Sequence, residues 1–210
     1  MNKSKFVVRD IVEIAMLVAI AVVLDLDGLK FTVFPSGGSI GLTMVPLFII
    51  AFRHGVVKGF FGIGIVYALI TCMLDGHSWA YFPFDYVLAY GSICLAGFFK
   101  PLIFKDEMKT KKDYALSITF YFIAIIMGCI TRLIGSTLSS LIIYPLVEGG
   151  EPLSLWAAIT YNFTYIGPSA LFVIIVMIVL YYSLLRIQKQ FPTKNFQEMI
   201  PNKTNNPVEK

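Results

Sequence analysis

Two ionisable residues sit inside apolar stretches of this chain, Asp85 in "YFPFDYVLAYGS" and Arg132 in "CITRLIGSTLSS". A charge in a membrane-spanning segment is expensive, so it faces a bundle interior or a watery cavity and marks a site by default. Arg132 heads a stripe with Gly135, Ser136, Ser139 and Ser140. The offsets of 3, 4, 7 and 8 put all five on one helical face. A second polar patch, Tyr161, Asn162, Thr164, Tyr165 and Ser169, interrupts another apolar run. At 1.5 Å per residue, Asp85 lies about 6 Å, Asn162 about 10 Å and Ser136 about 12 Å inside the ends of their segments. All three therefore fall in the outer leaflet, where a concave, outward-facing site between their helices can form. Trp79, Tyr81, Phe84, Tyr86, Tyr144, Trp156 and Tyr161 crowd the same level. A carboxylate among aromatic faces suits a flat organic cation. The same residues admit plainer readings: an Asp85–Arg132 ion pair, an interfacial aromatic belt, and serine and asparagine hydrogen bonds between helices.

The elements that must position these groups follow from composition. Of 210 residues, 57% are hydrophobic and only 14% charged, where a soluble domain has about 25% charged. Mean hydropathy is +0.76. The expectation is an all-α integral membrane bundle in a lipid bilayer, one domain over 1–190 with a polar cytoplasmic tail over 191–210. Six segments are candidates to span: 7–24, 41–52 (short and holding Pro46), 56–74, 82–99, 114–146 and 155–185. The first run has no small-residue cleavage site, so it reads as a spanning helix rather than a signal peptide.

Fifteen of the 17 Lys and Arg residues fall in the two termini, the turn after the second segment and the loop after the fourth. The intervening loops carry Asp25, Asp27, Asp75, Glu148 and Glu151 with only Lys30. The positive-inside rule then puts both termini in the cytoplasm and the connections at 25–40, 75–81 and 147–154 outside. Topology accounts for the basic balance, so no nucleic-acid partner is expected. Cys72, Cys94 and Cys129 lie singly in apolar runs and read as packing residues. The chain has no GxxxxGK[ST] and no HExxH, which removes a P-loop ATPase and the common zinc-hydrolase signal. No enzymatic activity, metal site or cofactor is expected in this chain.

Longer stretches carry a resemblance. "EIAMLVAIAVVL", "SIGLTMVPLFIIAFRHGVVKGFFGIGIV", "FDYVLAYGSICLAGFF" and "YNFTYIGPS" together resemble the S components of energy-coupling factor (ECF) vitamin transporters, most closely the thiamine-specific branch. The likeness extends from residue 7 to about residue 185. It implies that Asp85 is the acidic ligand to the vitamin, Tyr86 its aromatic neighbour and Asn162 a further ligand, with Ser136, Tyr144, Tyr161 and Trp79 around them. It implies that Ala15 and Ala19, at AxxxA spacing, dock a transmembrane coupling protein. The family's arginine appears as Arg132, either a ligand group or a structural one. Ser136 stands where the branch has histidine four residues later, Tyr144 where it has tryptophan, and Ala157 where it has tyrosine. The connection "DGLKFTVFPSGGSIG" would fold over the site as a lid.

The resemblance thus implies a substrate-capture subunit that binds thiamine or a related vitamin or precursor from outside. An ECF coupling protein and two partner ATPases, which use the ATP, would drive import. A stand-alone, ion-driven permease and an intramembrane enzyme are the alternatives from other classes.

Overall fold

The computed structural model describes residues 7–34, 37–76, 78–105, 110–149 and 151–193. His77, Lys109, Lys3, Lys5 and the tail from residue 194 onward lie outside the described residues. The chain is mostly helical. Helix α1 is Val8–Leu24. A short antiparallel hairpin follows, β1 Phe31–Phe34 and β2 Gly37–Ile40, in the register Phe31↔Ile40 and Thr32↔Ser39. Helices α2 (Met44–Asp75), α3 (Trp79–Ile103), α4 (Lys111–Glu148) and α5 (Leu155–Gln190) complete the order. These last four are each long and apolar enough to cross a membrane.

Helix α2 is not straight. Gly55 has φ 74° and ψ −174°, a conformation that a Cβ would oppose. Past that point the chain doubles back. A Cβ built on Gly59 would lie 3.6 Å from Ala51 Cα, and one on Gly62 would lie 3.8 Å from Ile50 Cγ2. Along a straight helix, Ala51 and Gly59 would be about 12 Å apart. The limbs 44–54 and 56–75 therefore pack side by side.

Several boundaries differ from expectation. Helix α4 starts at Lys111 rather than 114 because Thr110 and Asp113 form a reciprocal capping box, satisfying backbone donors that the apolar pattern does not reveal. Helix α5 continues five residues past 185. Helix α3 reaches from Trp79 to Ile103, with wide π-type turns over Phe82–Tyr90 and tight 3-10 turns over Ser92–Phe99. Phe61–Tyr67 of α2 is also π-type. Such turns collect at functional sites, and these two carry Tyr67, Asp85, Tyr86 and Tyr90. The β-hairpin was not among the expected elements.

The first limb of α2 is the axis of the core. Met44, Leu47, Phe48, Ile50, Ala51 and Phe52 are all fully buried, as a helix that is apolar all round must be. Ile14, Val18 and Ala21 of α1 join its cluster, with Ile93, Cys94 and Ala96 of α3. Phe48, Phe52, Tyr121 and Tyr181 make an aromatic ladder, with centroids 6.0, 4.9 and 5.1 Å apart. The Tyr121 hydroxyl donates to Met177 O at 2.9 Å, and the Tyr181 hydroxyl to Ser117 Oγ at 2.8 Å. In lipid, close packing and internal hydrogen bonds take over the role that apolar burial plays in water.

Arg53 and Lys58, from the turn after the second expected segment, and Lys100, from the loop after the fourth, are each only 3–4% exposed. The reason is α1, which turns two carboxylates inward. Glu13 forks onto Arg53, with Oε2 2.9 Å from Nη2, and Asp10 pairs with Lys58 at 2.6 Å. Lys100 donates to the carbonyl and hydroxyl of Thr193. Charged groups this deep persist only when paired and hydrogen-bonded. They close the end of the bundle that holds Gly55.

Candidate ligand-binding site

At the opposite end, the last residues of α1, the far end of α2, the first half of α3, the second half of α4 and the first turns of α5 surround a cavity of about 640 Å³. That volume fits a small organic molecule. Four carboxylates line it, Asp25, Asp27, Asp75 and Asp85, with two cations, Lys30 and Arg132. The structure brings Asp85, Tyr86, Ser136, Tyr144, Tyr161, Asn162 and Arg132 to its wall. Trp79 is not in the lining. It is 57% exposed and meets Phe82 edge-on at 5.9 Å. Ala15 and Ala19 lie on the face of α1 turned away from the bundle, while Ile14, Val18 and Ala21 face inward.

Each wall has its own construction. Helices α3 and α4 approach closely at Gly135, where a Cβ would fall 2.5 Å from Ala89 Cα. This contact places Ser136 and Arg132 alongside the turns that carry Tyr86 and Tyr90. Arg132 is 6% exposed. Its Nη2 donates to the Tyr90 hydroxyl at 3.0 Å, and its guanidinium lies 4.3 Å from the centre of that ring. Arg132 Nε is buried without a hydrogen-bond partner. Among the described residues no carboxylate comes within ion-pair distance of Arg132, so the Asp85–Arg132 pair is not formed.

Asn162 is 1% exposed and held on three sides. Its amide nitrogen donates to Ser140 Oγ at 2.9 Å and to Ala158 O at 2.8 Å. Its oxygen accepts from the Tyr165 hydroxyl at 2.5 Å. A backbone carbonyl only accepts, so the atom facing Ala158 O is the nitrogen and the amide orientation is settled.

Sequence reasoning missed a third wall. Asp25, Lys30 and Asp75 read as outer-loop charges, yet they form one network. Lys30 Nζ lies 3.5 Å from Asp25 Oδ1 and 3.5 Å from Asp75 Oδ1. Tyr67 donates to Asp25 at 3.1 Å, and Tyr86 to Asp75 at 2.8 Å. Burial pushes the Asp25 carboxyl above its ordinary pKa, with Lys30 opposing the shift. The available signal was position: Asp25 and Asp75 each stand at a helix end, level with the aromatic residues.

The β-hairpin lies across the α5 side of the cavity. Phe34 stacks on Tyr161, centroids 4.8 Å apart. Ser169 Oγ accepts from Gly41 N at 3.3 Å and lies 3.5 Å from Ser39 O, its hydrogen going to Tyr165 O at 2.8 Å. Gly38, at φ 82°, lies so close to Tyr165 that a Cβ would fall 2.6 Å from the ring. Thr32, Gly38 and Ser39 line the cavity.

Comparison with known proteins gives this arrangement a setting. Residues 11–189 match the family model described as thiamine transporter protein (Thia_YuaJ). The chain is 32% identical over 195 residues to the thiamine transporter ThiT of Bacillus subtilis (strain 168), covering 90% of this chain and 98% of that protein. Its fold matches the solved structure of ThiT from Listeria monocytogenes with a TM-score of 0.64. That match spans 87% of this chain and 97% of the other, and at 23% identity it speaks for the fold alone.

Proposed function

The chain belongs to the thiamine transporter protein family, whose members are multi-pass membrane transporters and not enzymes, and on that premise we propose that it is the substrate-capture component of an ECF-type importer for thiamine or a close relative. The observation that carries this reading is the cavity. It is acidic, ringed by Tyr81, Tyr86, Tyr90, Tyr144, Tyr161 and Tyr165, and contained within one chain that has no ATP-binding motif. Thiamine is a flat permanent cation with an aminopyrimidine ring.

The roles follow from the chemistry on offer. Asp85 balances the positive charge, and the tyrosine rings stack on the flat ligand. Both amide hydrogens of Asn162 are already used, so it meets the ligand only through the second lone pair of its oxygen. That suits an amino donor. Arg132 lines the cavity, and its guanidinium, a donor through every N–H, suits an acceptor on the ligand. Ser136 and Tyr144 fill the space between. The hairpin acts as a lid.

The two limbs of α2 make two membrane passes, the first a short one of about 16 Å, so six membrane segments result with α1, α3, α4 and α5. The distribution of basic residues supports an orientation with both termini in the cytoplasm. The outward face of α1, with Ala15 and Ala19 at close-packing spacing, docks the coupling protein, and two partner ATPases supply the energy. The test is co-purification and uptake. The chain alone in vesicles retains thiamine without accumulating it, and accumulation requires the coupling protein, both ATPases and ATP. Accumulation by the chain alone, driven by an ion gradient, would replace this reading with a secondary permease.

A further inference from the structure

Lys30 stands immediately before β1, where the connection from α1 becomes the hairpin. Its side chain is 13% exposed and reaches two carboxylates at once, Asp25 and Asp75, each at 3.5 Å. Those carboxylates belong to the rigid frame. Asp25 follows the last turn of α1 and is held by Tyr67 and, at 3.5 Å, by Thr43. Asp75 ends α2 and is held by Tyr86. Tyrosines thus fix the pair from the helix side, and Lys30 grips it from the hairpin side. The other edge of the hairpin rests on α5 through Phe34, Gly38 and Ser39. The hairpin therefore spans the cavity with an aromatic seat at one side and an ionic tie at the other.

The tie is loose. Charge-assisted N–H···O contacts run at about 2.7–2.9 Å, and Lys30 sits between its two partners beyond that range. Such a bridge, largely shielded from solvent, holds a segment in place yet parts at less cost than a tight charge-assisted bond. We propose that Lys30 is a latch: its bridge to Asp25 and Asp75 keeps the hairpin down, and breaking it limits how fast ligand enters and leaves. The proposal rests on the ligand-binding reading of the cavity.

Two measurements on the full chain test it together. In the ligand-free protein, Lys30→Met makes the backbone amides of 31–34 and 37–40 exchange hydrogen at least tenfold faster, about 1.4 kcal/mol of lost closure. In the same variant, bound tritiated thiamine dissociates and associates faster by that common factor, because the latch stabilises the closed state of both empty and loaded protein. Lys30→Arg keeps both behaviours near wild type. If Lys30 acts only as a wall charge, the outcome is opposite: removing a positive group tightens a cation and slows its release, with hairpin exchange unchanged. That result overturns the latch. Should Lys30→Met fail to fold, Asp75→Asn removes one arm of the bridge and must raise hairpin exchange; unchanged exchange there is equally fatal. If wild type binds no thiamine, the exchange measurement still decides the latch, and the failure falls on the ligand assignment.

Discussion

The hydroxyl of Tyr165 donates to the side-chain oxygen of Asn162 across 2.5 Å, one turn away on α5. This bond, with those to Ser140 and Ala158, leaves Asn162 no freedom to rotate and only one free lone pair to offer. Replacing Tyr165 by Phe keeps the ring against Gly38 and removes the restraint. The expected result is a loss of about 1 kcal/mol in binding of an amino-bearing ligand, roughly fivefold. A ligand of the same shape lacking the amino group loses nothing. Parallel titrations with thiamine and its 4-oxo analogue check this.

In the proposed reading, Asp85 is the cavity carboxylate that balances a bound cation. Its replacement by Asn removes that charge with almost no change of shape. A hydrogen bond or close pair with a charged group contributes about 1.5–3 kcal/mol, so thiamine affinity is expected to fall about 10- to 100-fold. Melting of the ligand-free protein in detergent should move little. A large drop in melting temperature with unchanged affinity would mark Asp85 as structural.

Gly38 combines a left-handed φ of 82° with a ring 2.6 Å from its would-be Cβ. Gly38→Ala therefore strains the strand and pushes it off Tyr165. The hairpin should become more open to protease and ligand release faster, with the helical signal intact. Gly76→Ala is the comparison: its φ is also positive, at 66°, but its Cβ would meet nothing within 4 Å.

The raised pKa of Asp25 predicts a pH effect whose sign follows from linkage. The folded chain binds this proton more readily than the unfolded chain, whose aspartates titrate near 3.8. Asp25 therefore favours folding most at low pH, and its contribution is lost as pH rises from 3.8 through the raised value. The groups around it are Lys30, Tyr67, Asp75 and Arg132. Melting curves of wild type and Asp25→Asn across that range should differ by this slope, which is absent in the variant.

What could be read in the sequence divides along a physical line. Asp85, Asn162 and the Arg132–Ser140 stripe were legible because helices convert spacing into shared faces, and 1.5 Å per residue converts distance from an end into depth. The Asp25–Lys30–Asp75 network was not, because loop charges have no period and meet only when the hairpin folds back. The burial of Arg53, Lys58 and Lys100 was hidden for a related reason. The positive-inside rule counts charges near helix ends but does not see Asp10 and Glu13 of α1 facing Lys58 and Arg53, or Thr193 meeting Lys100. The capping box at Thr110 was present in the chain as T-K-K-D and would have moved the start of α4 to its observed place. Trp79 was misleading because aromatic residues at membrane depth serve lipid interfaces as often as sites. At 57% and 77% exposure, Trp79 and Trp156 stand outside the cavity, so their fluorescence is an indirect reporter of binding.

The most direct test of the central claim is calorimetric titration of thiamine into the purified chain in detergent, with no partner protein present, alongside Asp85→Asn. The account predicts saturable one-to-one binding by the wild type and a loss of about 10- to 100-fold in the variant. A folded wild type that gives no saturable heat with thiamine, or a variant that binds equally well, would contradict it.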